Sequence, residues 1–552
     1  MIGVMANPTE EHIVREFFEL FKTPWEFYRV GRCYDIVLCA DGSKPEQVTA
    51  KLLLLYAGAK TDSDATRNVQ VEPQRKGARL SLLGKPFPIY GNVITFSHGA
   101  SILTEDGSGK PAVYVHQSGE KVFVRIGYDL FREIQNLLIT GQPAENAAIP
   151  TLDLHIEFLR DLITCSGIPL VEIPPVPDGY PFIACLTHDL DHASIRRHRF
   201  DHTILGFLYR ATLGSVIKVA RGRFSLEKLF TNIAAVAKLP FIYLGLARDI
   251  WYDFDHYVEL EKGKPSTFFV IPFENRPGCS SKGRTPSARA TRYDVSHIAG
   301  KIPRLISAGC EIGLHGIDAW FEGSKGREES RRISEISTTA TLGVRMHWLY
   351  SDERSPSVLE EAGFSYDSTV GYNDTVGYRA GTAQVFKPLP ATRLLELPMH
   401  VMDTALFYPG RLGLSETEAW KWMSPLFDNA THYGGVLTIN WHDRSIAPER
   451  LWGNFYIGLL DELTARGAWF STAAQAVSWF RKRRSAVFEK VNDEGDRLWV
   501  NVVAETTDDL PGFRLRFHRP RTLSTLGDAT IGLGEKYTDC AFNGSIDIRL
   551  PN

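Results

Sequence analysis

The chain is 552 residues long, 43% hydrophobic and 23% charged, with a net charge of −3. That length can bury more than one apolar core, so two or three domains are expected. The near-neutral balance, with no long basic block, argues against a nucleic-acid partner, and no apolar run approaches the roughly 20 residues of a membrane span.

In chain order, residues 1–150 alternate helical and strand patterns. Helices are expected over 10–21 and 129–138, and strands over 34–39, 52–56, 93–96, 113–116 and 122–126. This reads as an α/β accessory domain without a Gly-rich phosphate signature. The opening stretch, MIGVMANPTEEHIVREFF, carries acids where a secretory signal has a basic flank and an apolar core. Seven cysteines, at 33, 39, 165, 185, 279, 310 and 540, form no CxxC pair and no dense framework. Reduced thiols and a cytoplasmic location are the expectation.

Residues 151–180 hold a helix over 152–165 and a proline-rich linker. From 181 to 484, strands over 182–186, 267–271, 311–314, 344–348, 366–369, 394–399, 436–440 and 469–472 alternate with helical segments. Such repetition implies a parallel (β/α) barrel, complete or distorted, with its chemistry where the strands end. An insertion at 195–262, rich in Arg, Phe, Leu and Tyr, reads as helices over 204–220, 226–236 and near 252–261. It is expected to cap the barrel, with membrane-surface binding as the alternative. Residues 485–552 alternate at period two over 497–504, 513–517 and 545–550, a small β-rich domain expected to pack on the barrel.

The most informative stretch is PFIACLTHDLDH, residues 181–192. An uncharged apolar run breaks into polar residues, and the period of a strand puts Asp189 and Asp191 on one face. Two carboxylates ending an apolar strand ask for a cation or a proton. Past the ends of later strands come His315, Arg345, His347, Asp367, Glu396, Asp403, His442 and Asp443. In a parallel barrel these groups meet in one cup. Trp320, Trp348, Tyr372, Tyr378 and Trp441 lie near it as candidates to stack on a sugar ring, and Arg379 as a candidate for an anionic substituent.

The order of these segments resembles the polysaccharide deacetylase family over roughly residues 178–480. The resemblance implies a distorted (β/α) barrel that uses a divalent metal to remove acetyl groups from amino sugars. THDLD (187–191) looks like a variant of the family's Thr-Phe-Asp-Asp motif, which makes Asp189 the general base and Asp191 a metal ligand. His315 matches the first histidine of His-x-x-x-His, but Ala319 stands where the second belongs. The third ligand falls to His347, with Asp318 the alternative. Arg345 in RMH stands at the Arg-x-Pro motif, where the arginine steadies the base. LTINWH supplies His442 as general acid, and Asp403 is placed to orient it. Carboxylate and imidazole ligands suit Zn²⁺, and also take Fe²⁺, Co²⁺ or Ni²⁺. The expected partner is a carbohydrate. Hydrolysis of a small amide, imide or O-acetyl ester on the same scaffold, or glycan binding without catalysis, are the alternative readings.

Overall fold

The computed structural model describes residues 1–551 except 43–47, 281–282, 496, 507–508 and 523–535. Strand Ile183–Leu190 lies at the centre of a parallel sheet. It pairs with Val436–Asn440 on one side and with Thr267–Val270 and the short Trp469–Ser471 on the other. The sheet continues through Glu311–Gly316, Val344–Met346, Tyr366–Asp367 and Leu395–Glu396. A single stretch of chain closes it. Leu395–Glu396 pairs with Tyr366–Asp367, and Val401–Met402, a few residues on, pairs with Val436–Asn440. The strand expected over 394–399 is therefore two short strands joined by irregular backbone. The result is an α/β protein built on a distorted parallel (β/α) barrel, flanked by further sheets at both ends of the chain.

All of Ile183–Leu190 is buried, as expected of a strand covered on both faces. Alternation then divides its side chains. Ala184, Leu186 and Leu190 pack outward into the main core. Ile183 and Cys185 join an interior cluster with Phe269, Tyr366 and Val436. Trp479 and Phe480 of helix Ala473–Ser485 and Val500, Phe513 and Leu515 of the C-terminal strands belong to that same cluster. The end of the barrel where the strands begin is thus plugged with apolar side chains.

Residues 2–126 build a six-stranded sheet in the order Trp25–Phe27, Ile2–Met5, Ile36–Cys39, Leu52–Tyr56, Lys121–Ile126, Val113–Ser118. Only the last pairing, a hairpin, is antiparallel. Helix Thr151–Cys165 packs into the same apolar cluster as this sheet. The expected strand over 93–96 is the tail of a longer hairpin, Arg75–Leu82 with Lys85–Val93. After residue 485 come two three-stranded antiparallel sheets, one of which takes linker residues Leu170–Glu172 as an edge.

The insertion folds into helices His202–Ala220 and Leu226–Tyr243, which bury Phe207, Ala235 and Ile242 with Trp251. Among the described residues, His202–Ala220 is one helix long and apolar enough to cross a membrane by length and composition, with a mean hydropathy of 1.2. This corrects the expectation that no such run exists; Arg210 and Lys218 had interrupted it as an unbroken apolar count.

Candidate active site

Asp189 and Asp191 both come from the end of the central strand, two residues apart and on the inner face. His188, immediately before Asp189, faces outward. It is held by Trp441 O and Glu261 Oε1, each at 2.8 Å, and stacks on Tyr257. The alternation expected of a strand therefore separates two acids for the cavity from one structural histidine.

Asp191, His315 and His347 each offer a ligand atom, all within 4.8 Å of one another. His315 Nε2 lies 3.3 Å from Asp191 Oδ1, and His347 Nε2 3.4 Å from the same oxygen. His315 Nδ1 faces the carbonyl of Arg345 at 3.0 Å. A carbonyl only accepts, so Nδ1 carries a proton there and Nε2 is the ring atom turned toward the carboxylate as a ligand. Burial pushes the His347 imidazole down to about 3, leaving it neutral and able to ligate. Asp191 Oδ1 is buried and has no hydrogen-bond partner among the described residues. An orphaned carboxylate oxygen facing two ring nitrogens is a costly arrangement without a cation and a suitable one with it. One carboxylate and two histidines, with room left for another ligand, match a hydrolytic divalent-metal site.

Asp189 is held differently. Arg345 Nη1 donates to its Oδ1 at 3.0 Å and Asn440 Nδ2 to its Oδ2 at 2.7 Å. Burial alone would raise its pKa, but the Arg345 guanidinium, with His315 and His442 behind it, keeps it below the usual carboxylate range. Arg345 is fully buried and fixed in turn by Thr187 Oγ1 and by Ser368 O and Oγ, its guanidinium 4.5 Å from the centre of the Phe269 ring. Behind it, Asp367 and Glu396 form a buried pair. Burial, and for Glu396 its neighbour's charge, raise both carboxyls, so the pair retains a proton.

His442 stands on the opposite wall, its Nε2 3.8 Å from Asp191 Oδ2. Asp403 Oδ1 accepts from its Nδ1 at 2.6 Å, and Asp403 Oδ2 from its backbone N–H at 2.7 Å. Burial opposes the charged imidazole, yet Asp403 carries it up to about 9. His442 is therefore protonated at neutral pH while Asp189 is not. A base and an acid on two sides of a metal-ligand cluster can remove one proton and deliver another.

Other residues singled out in the sequence are placed elsewhere. Asp318 Oδ1 accepts from the Cys279 backbone at 2.6 Å and lies outside the ligand cluster, because the chain after His315 turns away rather than continuing as a helix. Trp320 and Trp441 are fully buried, the first against Phe321 and Tyr350 and the second between Phe455 and Tyr456. Tyr378 is buried with its hydroxyl on Leu426 O. Arg379 donates to Thr140 O and Gln142 O, fastening the barrel to the N-terminal domain. None of these, nor Asp367, lines the cavity over the site. Substrate contact by them is accordingly withdrawn: they are packing and docking residues.

The cavity measures about 320 Å³, and His202, Thr203, Gly206 and Arg210 of the insertion form one of its walls. Trp348 and Leu349, just after His347, form another with φ of 62° and 55°. Two consecutive left-handed residues without glycine are strained, and such strain clusters at functional sites. Buried Arg289 steadies the turn by donating to His347 O and Ile317 O. Arg289 and Asn440 were not found from sequence, and Thr187 entered only as the first residue of THDLD, with no role assigned. Only Asn440 gave a signal, as a lone amide within the apolar run VLTINW.

No family model and no curated protein matches this chain. Solved structures are similar over about half of it. A protein assigned as a polysaccharide deacetylase from Mycobacterium smegmatis is 17% identical, over 56% of this chain and 93% of its own, with a TM-score of 0.34. Puue allantoinase is 14% identical over 56% and 93%, at 0.33. A family 4 acetyl xylan esterase from Clostridium thermocellum, solved with a cobalt ion, is 15% identical over 54% and 91%, at 0.22.

Proposed function

We propose that this protein is a metal-dependent hydrolase that removes the acetyl group from an N-acetylated carbohydrate and releases acetate. The observation that carries this reading is the convergence of Asp191, His315 and His347 between an ionised Asp189 and a protonated His442. A divalent cation, Zn²⁺ by the donor set, would be held by those three residues and would supply Lewis acidity toward the acyl oxygen and a water.

The remaining work belongs to the chain. Asp189, fixed by Arg345 and Asn440, receives the proton of the attacking water on an oxygen that retains a free lone pair. His442 passes its Nε2 proton to the departing nitrogen, and Asp403 stabilises the imidazolium beforehand and fixes the ring. The insertion excludes water from one side of the cavity.

The cavity volume lies at the small end for ligand sites, which favours one acylated sugar unit over an open polymer groove. The same observation supports the second reading, a hydrolase of small amides. Metal content and acetate release should be measured for wild type, Asp191→Ala and His315→Ala with N-acetylhexosamines and with small aliphatic amides. Loss of both properties in both variants is expected. Unchanged metal content in the two variants sinks the proposed site, and turnover of the simple amides alone favours the second reading.

A further inference from the structure

Beyond His442, the cavity holds a group of cations that the chemistry above does not use. Arg210, from the insertion, and Arg444 and Arg450, from the loop after the general acid, all line it. Among the described residues none of the three makes an ion pair. Arg450 is 5% exposed, and its Nε and Nη1, like the Nε and Nη2 of Arg210, are buried without a hydrogen-bond partner. Arg444 and Arg450 have their guanidinium carbons 5.2 and 5.0 Å from the ring centres of Trp251 and Trp452. The charges feel one another: burial and then Arg450 bring Arg210 down to about 10 and Arg444 to about 9. Two acids stand nearby, and neither forms an ion pair with these arginines among the described residues. Asp443 accepts from His192 N and Arg444 N, and Glu449 gives Oε1 to the Trp251 indole N–H, its Oε2 being buried without a hydrogen bond and without an ion pair to any of the three arginines among the described residues. The helix that presents Arg210 widens into a π turn over Arg210–Gly214, an irregularity that recurs at functional sites.

Burying guanidinium donors without acceptors costs several kcal/mol apiece unless an anion completes them. The geometry points to an oxyanion subsite, formed by Arg210, Arg444 and Arg450, for a phosphate or carboxylate carried by the substrate. Its position also says which half of the substrate carries the charge. Arg444 follows His442 by two residues, on the wall that protonates the leaving nitrogen. The anion therefore belongs to the sugar that departs as the amine, not to the acyl group.

This inference rests on the function proposed above, and a binding measurement separates the two. Metal-loaded Asp189→Asn is titrated with a neutral N-acetylhexosamine, its phosphate, its uronate and inorganic phosphate. The charged sugars should bind at least tenfold tighter than the neutral one. Arg210→Gln and Arg450→Gln, each in the same background, should abolish that difference while metal content stays constant. The phosphate and uronate arms tell which anion is preferred. Equal binding of charged and neutral sugars, or phosphate binding unaltered in both arginine variants, overturns the subsite. If no sugar binds but inorganic phosphate does, through these arginines, the subsite stands and the carbohydrate reading falls. Should Arg450→Gln fail to fold, the Arg210→Gln arm decides.

A separate observation concerns the outer face of the insertion. Leu205, Tyr209, Leu213 and Val216 recur at helical spacing and are exposed, as are Leu226, Phe230, Ile233, Phe241 and Leu244. Phe230, Leu244 and Leu246 are 65%, 72% and 74% exposed. Residues 195–253 hold ten Lys or Arg against four Asp or Glu, while the whole chain is at −3. We infer that this face rests on an anionic lipid surface, its apolar side chains in the interface and its cations at the headgroups. It does not cross the bilayer, because its other side buries Arg210 against the cavity. The full chain should sediment with phosphatidylglycerol–phosphatidylethanolamine vesicles and not with phosphatidylcholine. Phe230→Asp combined with Leu244→Asp should cut that at least tenfold without changing turnover of soluble substrate. Absence of sedimentation, or a dimer that the double variant dissociates, overturns it.

Discussion

The two ends of the barrel are built from the same strands and put to opposite uses. Where the strands begin, Ile183, Cys185, Phe269 and Val436 meet the helix Ala473–Ser485 and the C-terminal sheets in a dry cluster. Where they end, Asp189, Asp191, His315, Arg345 and His442 face one another with charges and lone pairs only partly matched. Three residues of one strand separate Cys185 from Asp189. Stability is concentrated at the plugged end, which leaves the other free to hold a strained turn after His347 and an oxygen without a partner.

That division can be broken from either side. The largest effect is expected for Asp189→Asn, which should retain metal and lose turnover by about 10²–10⁴-fold, the usual worth of a positioned base; acetate release and metal analysis check it together. Phe513→Ala, at the plugged end, should cost about 3–5 kcal/mol in denaturant unfolding while the folded fraction keeps its kcat. If instead kcat falls with stability, the two ends are not independent.

A subtler test is the titration of His442. Its pKa is raised to about 9, so its contribution to stability is complete below the ordinary histidine value near 6.5 and disappears as pH climbs through about 9. In metal-free protein, imidazole NMR should show that raised titration in wild type. Asp403→Asn should move it back toward the ordinary value and flatten stability across the window. The smallest effect is expected for Asn440→Ala, which takes one charge-assisted hydrogen bond from Asp189. It should lower kcat by about tenfold and leave KM unchanged, as steady-state kinetics would reveal.

Much of the barrel was readable because buried parallel strands advertise themselves as uncharged runs, as in FIACL and VLTIN. The site residues were readable by period two: Asp189 with Asp191 and Arg345 with His347 share faces only on a strand. What failed was the inference from proximity to exposure. Trp320 and Trp441 lie close to His315 and His442 in sequence, yet they, like Tyr378, belong to the core. No local pattern distinguishes the two faces of a strand covered on both sides. The cavity wall was hidden for another reason: Arg210, Trp348 and Arg450 come from an insertion and irregular turns, whose course depends on packing rather than on periodicity. The split closing strand was equally invisible, since the apolar residues around Leu395 and Val401 read alike before the partners on either side are known.

That split strand has a consequence for how the molecule breathes. Its two halves are held by two residue pairs each, against five between Ile183–Leu190 and Val436–Asn440. Amide exchange should begin along this seam, ahead of the rest of the wall. Asp403 follows directly after Met402, so fraying there would unhook it from His442. Residues Asp191 and His315, on better-zipped strands, would stay in place. Warmed toward its limit, the molecule should stop handing over protons before it lets go of its ion.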